Sequence, residues 1–69
     1  MAEVDLLSVV ALLEDRPAEG LRRGQVGTVV ESLASGLYEV EFSDDLGRTY
    51  ALLPLRSDQV LKLYHDQAA

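Results

Sequence analysis

The chain has 69 residues, with six Lys and Arg, twelve Asp and Glu, and no cysteine. This length allows one hydrophobic core and therefore one domain, and the lack of cysteine excludes disulfides and thiolate metal sites. The net charge of −6 opposes contact with a phosphate backbone, so that nucleic-acid binding is not favoured, and it suits a basic partner or simple solubility.

The N-terminal segment does not have the pattern of a targeting or membrane-spanning sequence. Glu3 and Asp5 lie where a secretory signal needs positive charge. The apolar stretch that follows is interrupted by Glu14 and Asp15, so it is too short to cross a bilayer. We therefore expect a cytoplasmic protein that does not associate with membranes.

The first predicted strand covers residues 8–13, where adjacent Val9 and Val10 favour extended structure. A helix in this segment would be apolar on nearly every face. Residues 14–24 are polar and contain Pro17, Gly20 and Gly24, and they are too numerous for a tight hairpin. They predict a long loop between two strands.

The second predicted strand covers residues 25–32, with Val26, Thr28 and Val30 on one face. A glycine inside a strand marks a bend or the close approach of another backbone, and this is the favoured reading of Gly27 over a ligand contact. Residues 34–36 predict the turn that follows.

The clearest strand is the stretch LYEVEFS at residues 37–43, where apolar residues alternate with glutamates. The next turn, DDLG, begins with Asp44 and Asp45, and Gly47 suits its positive-φ end. Residues 48–53 return as the partner strand of a hairpin, which Pro54 is predicted to end.

Residues 56–59 predict one turn of 3₁₀-helix capped by Ser57 or Asp58, residues 60–63 a last strand, and residues 64–69 a frayed tail. This order predicts an all-β fold, a small five-stranded SH3-like barrel with its core between about residues 8 and 63. The predicted core residues are Val9, Ala11, Leu13, Val26, Val30, Tyr38, Val40, Phe42, Tyr50, Leu52, Val60 and Leu63.

Residues 9–63 resemble a family of short bacterial proteins that have no assigned function. The shared elements are L-x-x-G-x-x-G-T-V-V at the second strand, Y-E-V-E-F in the third, G-x-T-Y-A in the returning strand, and the final leucine. The pattern is also similar to the SH3-like domain of the nitrile hydratase β subunit, and its Gly-x-x-Gly-x-Val element is similar to KOW-type barrels of ribosomal and transcription proteins. The resemblance implies an SH3-like fold and supplies no catalytic residues.

The arginine pair in LRRGQVGTVVES raises the question of a phosphate site. Arg22 and Arg23 precede Gly24, but no lysine follows and no helix is predicted, so the P-loop pattern is not met. The stretch is instead interpreted as the turn and bent strand that begin the second part of the barrel. The arginines are expected to pair with acidic groups of the same loop, which are Glu14, Asp15 and Glu19.

The sequence predicts no enzymatic activity, no cofactor and no metal site. His65 is the single histidine and has no cysteine to activate, and no serine lies in a nucleophile elbow. The adjacent Asp44 and Asp45 are favoured as turn formers, and the segment lacks the ligand spacing of a calcium loop.

The acidic residues give the one positive indication of function. Glu39 and Glu41 share the outer face of the third strand, and Asp44 and Asp45 extend this negative surface at its end. The leading hypothesis is a non-enzymatic protein-interaction module, one form of which is an acidic antitoxin- or immunity-like partner of a basic protein. The alternative for these side chains is a solvated strand face.

Two further hypotheses stay open. The first is a KOW-like nucleic-acid or ribosome contact through Arg16, Arg22 and Arg23. The second is an accessory subunit of a metalloenzyme, which only the nitrile hydratase resemblance suggests. Homodimerisation is compatible with all three, because edge strands and a small core favour pairing.

Overall fold

A computed structural model describes residues 4–64, which form one five-stranded antiparallel sheet. The strands are β1 (Val9–Leu12), β2 (Val26–Ala34), β3 (Leu37–Ser43), β4 (Thr49–Arg56) and β5 (Val60–Leu63), and single 3₁₀ turns cover Pro17–Glu19 and Ser57–Gln59. The predicted all-β fold, with five strands and a 3₁₀ turn before the last, is confirmed. The predictions for His65 and the tail at residues 65–69 lie outside the described residues.

The strands follow the spatial order β4-β3-β2-β1-β5. Consecutive strands from β1 to β4 form a meander, and β5 returns to pair with β1 on its other side. Within residues 4–64 no ladder joins β4 to β5, so hydrogen bonds do not close the sheet into a barrel. The same residues include no helix long and apolar enough to cross a bilayer.

The core lies on one face of the curved sheet. Its buried hydrophobic residues are Val4, Val10, Leu12, Leu21, Val29, Val40, Phe42, Leu53, Leu55 and Val60. The predictions of Val40, Phe42 and Val60 are confirmed, and Tyr38 packs against the edge of this cluster.

The predicted core was wrong in β1, β2 and β4, where the opposite set of alternating residues is buried, and at Leu63 in β5. The residues that lie outside the core cluster instead are Val9, Ala11, Leu13, Val26, Val30, Tyr50, Leu52 and Leu63. Alternation has a period of two, so it cannot identify the inner face when both faces of a strand are apolar. Pairing decides the matter, because Val29 lies opposite the buried Val40 of β3.

Three further local predictions were wrong. β2 was predicted to end at residue 32 but continues to Ala34, the first residue of the predicted turn at residues 34–36. Pro54 does not end β4 but lies within it, opposite Glu39 of β3. An edge strand tolerates proline where the missing N–H would face solvent. The second 3₁₀ turn is not capped by Ser57 or Asp58; the side-chain Oε1 of Gln59 accepts the backbone N–H of Arg56 at 2.8 Å.

The long loop between β1 and β2 is anchored to the core. Arg16 and Leu21 form an isolated bridge across its base, and the Leu21 side chain is fully buried. Near the loop's end, the N–H of Gly24 donates to the carbonyl of Leu12 at 2.8 Å. Sequence reasoning treated this segment as polar and missed Leu21, because a single leucine between charged residues has no period.

Candidate functional site

The outer face of the sheet, opposite the core, carries an apolar surface that spans three strands. In one row of cross-strand neighbours Leu63 of β5 lies beside Val9 of β1. In the next row Leu61 of β5 lies beside Ala11 of β1, which lies beside Val26 of β2. We call these five residues the apolar half of the outer face. Leu61, Val26 and Val9 are 53, 49 and 41% exposed.

Three glutamates continue the outer face on β2 and β3, and we call Glu31, Glu39 and Glu41 its acidic half. Glu31 lies directly opposite Glu39, and Glu41 lies opposite Thr28. Thr28 is in turn the partner of Val9, so this one residue joins the two halves. The Thr49 hydroxyl donates a hydrogen bond to Glu41. Like charges directly opposite on neighbouring strands destabilise a sheet.

No cation neutralises the acidic half within residues 4–64. The ion pairs in this part of the chain are Arg16–Glu19, Arg48–Asp44, Arg56–Asp58 and Lys62–Asp5. None of these pairs includes a glutamate of the outer face, although Arg56, paired with Asp58, follows Pro54, the partner of Glu39, by two residues on β4. No ion pair among the described residues therefore offsets the repulsion between Glu31 and Glu39.

Comparison with known proteins places the chain in a family. Residues 6–62 match a family described as Domain of unknown function (DUF4926). The chain belongs to the DUF4926 family. No curated protein and no solved structure matches it. We therefore infer the function of this DUF4926 domain from its own surface.

The predicted acidic residues have different surroundings in the DUF4926 domain. Glu39 and Glu41 lie on one face, as expected, whereas the carboxylate of Asp44 forms hydrogen bonds within the turn. Its Oδ1 accepts the backbone N–H groups of Leu46 and Arg48, both at 2.9 Å, and its Oδ2 lies 2.9 Å from Nε of Arg48. The backbone hydrogen bond from Arg48 is the largest cause that holds the pKa of Asp44 below its usual value. Asp45 is exposed in the same turn.

Sequence reasoning missed Glu31 as a member of this surface. The alternation of residues 25–32 grouped it with Gly27 and Val29, opposite the predicted core residues Val26 and Val30, but gave no reason to pair it with Glu39. In the structure Gly27 and Val29 are the residues that face the core. A register shift between Val29 and Glu31 changes the alternation, so that Glu31 pairs with Glu39 on the outer face. A bulge adds one residue to a strand and has no signature here that the sequence could reveal.

The candidate arginines lie at the base of one loop, where Arg16 forms a bridge to Leu21, and their side chains differ in their partners. The Arg16 guanidinium pairs with Glu19, with Nε 3.2 Å from Oε1. Asp15 accepts the backbone N–H of Arg23 at 2.8 Å, not its guanidinium. The predicted pairing of Arg22 and Arg23 with loop carboxylates is therefore not seen among residues 4–64, where neither guanidinium has an ion-pair partner. The same residues contain no group of three metal-ligating side chains that could hold an ion.

Proposed function

We propose that this DUF4926 domain is a non-enzymatic protein-interaction module that binds a basic protein through Glu31, Glu39 and Glu41. The observation that carries the proposal is the pairing of Glu31 directly opposite Glu39, with no ion pair to either among the described residues. This pairing weakens the isolated domain. A basic surface placed on it converts the repulsion into attraction and steers the encounter.

The proposal also covers the architecture of the domain and its role in the cell. The strand order, the long loop after β1 and the 3₁₀ turn before β5 support an SH3-like barrel architecture. The net charge of −6 supports a role in which the domain accompanies or neutralises a basic protein in the bacterial cytoplasm, as an antitoxin or immunity protein does. Asp44 is omitted from the proposed surface because its carboxylate forms the turn.

The test replaces all three glutamates with glutamine and measures binding to a hydrophilic Lys/Ser peptide over a range of salt concentrations. We expect weaker binding and a smaller dependence on salt than in the unaltered chain, since surface attraction is screened by ions. A matched control, Glu14→Gln/Glu19→Gln/Asp58→Asn, removes the same amount of charge from the loop and the second 3₁₀ turn. If both variants lost the same amount of peptide binding, the acidic half would be a solvated strand face with no specific role in binding.

One alternative function has an observation in its favour. The guanidinium groups of Arg22 and Arg23 have no ion-pair partner within residues 4–64. They are therefore available for a KOW-like contact with nucleic acid or ribosome, together with Arg16. Filter binding of RNA and DNA at low salt, compared with an Arg22→Gln/Arg23→Gln variant, decides this alternative. No retention by the unaltered chain would remove it.

A further inference from the structure

The apolar half of the outer face is a second feature that the fold itself does not use. Val9, Val26 and Leu61 alternate with buried residues of the same strands, and each is about half exposed. Their cross-strand register makes the surface continuous from β5 to β2. Contiguous exposed apolar surface on a small protein is typical of a docking site.

The two edges of the sheet are less suited to binding than this face. In β4, Pro54 removes a backbone donor from one edge. At the other edge, β5 is four residues long and Lys62 lies on its inner side, with a 19% exposed side chain whose Nζ is 3.4 Å from Asp5. Proline, short length and inward-pointing charge are devices that prevent strand addition.

Within residues 4–64 no segment covers the apolar half, since Val9, Val26 and Leu61 are each about half exposed. A second copy of the chain would also carry a charge of −6 and would bring a second set of three glutamates to the interface.

Charge complementarity indicates the occupant. The row Leu63, Val9, Thr28 and Glu41 runs from apolar to acidic between β5 and β3, and the exposed Leu52 of the edge strand β4 lies beyond Glu41. We infer that the partner presents an amphipathic segment with an apolar strip that covers Val9, Val26 and Leu61. The partner segment also carries lysine or arginine residues along one side of this strip, where they face Glu31, Glu39 and Glu41. This inference rests on the proposed function.

The experiment titrates the full chain with three synthetic peptides of equal length. One is an amphipathic Leu/Lys peptide with its lysines on one side, one is the hydrophilic Lys/Ser peptide, and one is an amphipathic Leu/Glu peptide. We expect the Leu/Lys peptide to bind at least about tenfold more tightly than the Lys/Ser peptide, because only the first covers apolar surface. The Leu/Glu peptide should not bind.

Paired variants connect this difference to the face. Val9→Ser/Leu61→Ser should lower the affinity for the Leu/Lys peptide to that for the Lys/Ser peptide and leave the latter unchanged. The matched control is Leu6→Ser/Leu46→Ser, which removes two exposed leucines outside the sheet, 60 and 76% exposed, and should have no effect. Thermal melts verify that both variants are folded.

The outcomes separate this inference from the proposed function. If neither basic peptide binds, both fail. If both basic peptides bind equally well, the acidic half is functional and the amphipathic partner is wrong. Equal binding of the Leu/Glu peptide would overturn the inference by making the face a nonspecific apolar surface. A dimer in sedimentation that Val9→Ser/Leu61→Ser abolishes would assign the face to a second copy and overturn it as well.

Discussion

Gly27 is the residue whose small size the fold most clearly requires. A Cβ atom added there would lie 2.8 Å from Cγ1 of Val40 and 2.9 Å from Cε2 of Phe42, and both of these side chains are fully buried. We expect Gly27→Ala to lower the free energy of unfolding by about 1–3 kcal/mol, because a packed core resists added volume. Urea denaturation measures the loss, with Thr28→Ala on the outer face as the control. Equal stability of the Gly27→Ala variant and the unaltered chain would show that β2 and β3 separate easily.

Asp44 is the residue for which the structure predicts a pH effect. The backbone N–H groups of Arg48 and Leu46 lower its pKa in the folded state. Its contribution to stability is therefore fully present above the pKa of the unfolded chain and is lost as the pH falls through the lowered folded pKa. The variant Asp44→Asn, whose amide oxygen still accepts both N–H groups, should lose less stability than the unaltered chain between neutral and strongly acidic pH. The measurement is the melting temperature of each chain as a function of pH. Profiles that coincide would contradict the prediction.

The β2–β3 pair is the element with a built-in electrostatic weakness. Glu39→Lys places a cation directly opposite Glu31 and should raise the free energy of unfolding by about 0.2–1 kcal/mol. Glu39→Gln removes the repulsion without adding attraction and should give a smaller gain. Chemical denaturation at low and high salt measures both, and salt should reduce the difference. A destabilised Glu39→Lys variant would mean that the two side chains do not face each other, and the proposed acidic half would lose its basis.

Elements differed in how well the sequence predicted them. The bounds of β3 and β5 were predicted correctly, because β3 has strict alternation of apolar and acidic residues and β5 follows a recognisable turn. β4 was predicted too short, since proline was taken as an end signal and its position at the sheet edge depends on the neighbouring strands. Leu21 is a core residue that lies in a loop, and its burial was not predicted because a loop has no periodic pattern of apolar residues.

The choice of the buried face is a property of the complete sheet, and a pair of adjacent valines tests it. Val10 is fully buried, whereas Val9 lies on the outer face. Val10→Ala should lower the free energy of unfolding by about 2 kcal/mol through lost burial and a cavity, and Val9→Ala by less than about 1 kcal/mol. Thermal or chemical denaturation of the two variants measures the order. If Val9→Ala lost more stability than Val10→Ala, Val9 would belong to the core, as alternation alone predicted.

The amino-acid order was sufficient for the number and order of the strands of this DUF4926 domain and for the approximate positions of its turns, but not for the end of β4. Each of these depends on local chemistry, which is the alternation of side chains and the conformations that proline and glycine allow. It was also sufficient to indicate an acidic surface on β3, because Glu39 and Glu41 belong to one alternating run.

Only the tertiary structure decided which face of β1, β2 and β4 is buried and which residues form the candidate site. These strands are apolar on both faces, so the buried face of β2 and β4 follows from their register against β3, and that of β1 from its register against β2. The bulge that brings Glu31 opposite Glu39 and the rows that join Leu61 and Leu63 to β1 depend on pairing between distant segments. Cross-strand register is set by the whole sheet, and no local pattern in a single strand contains it.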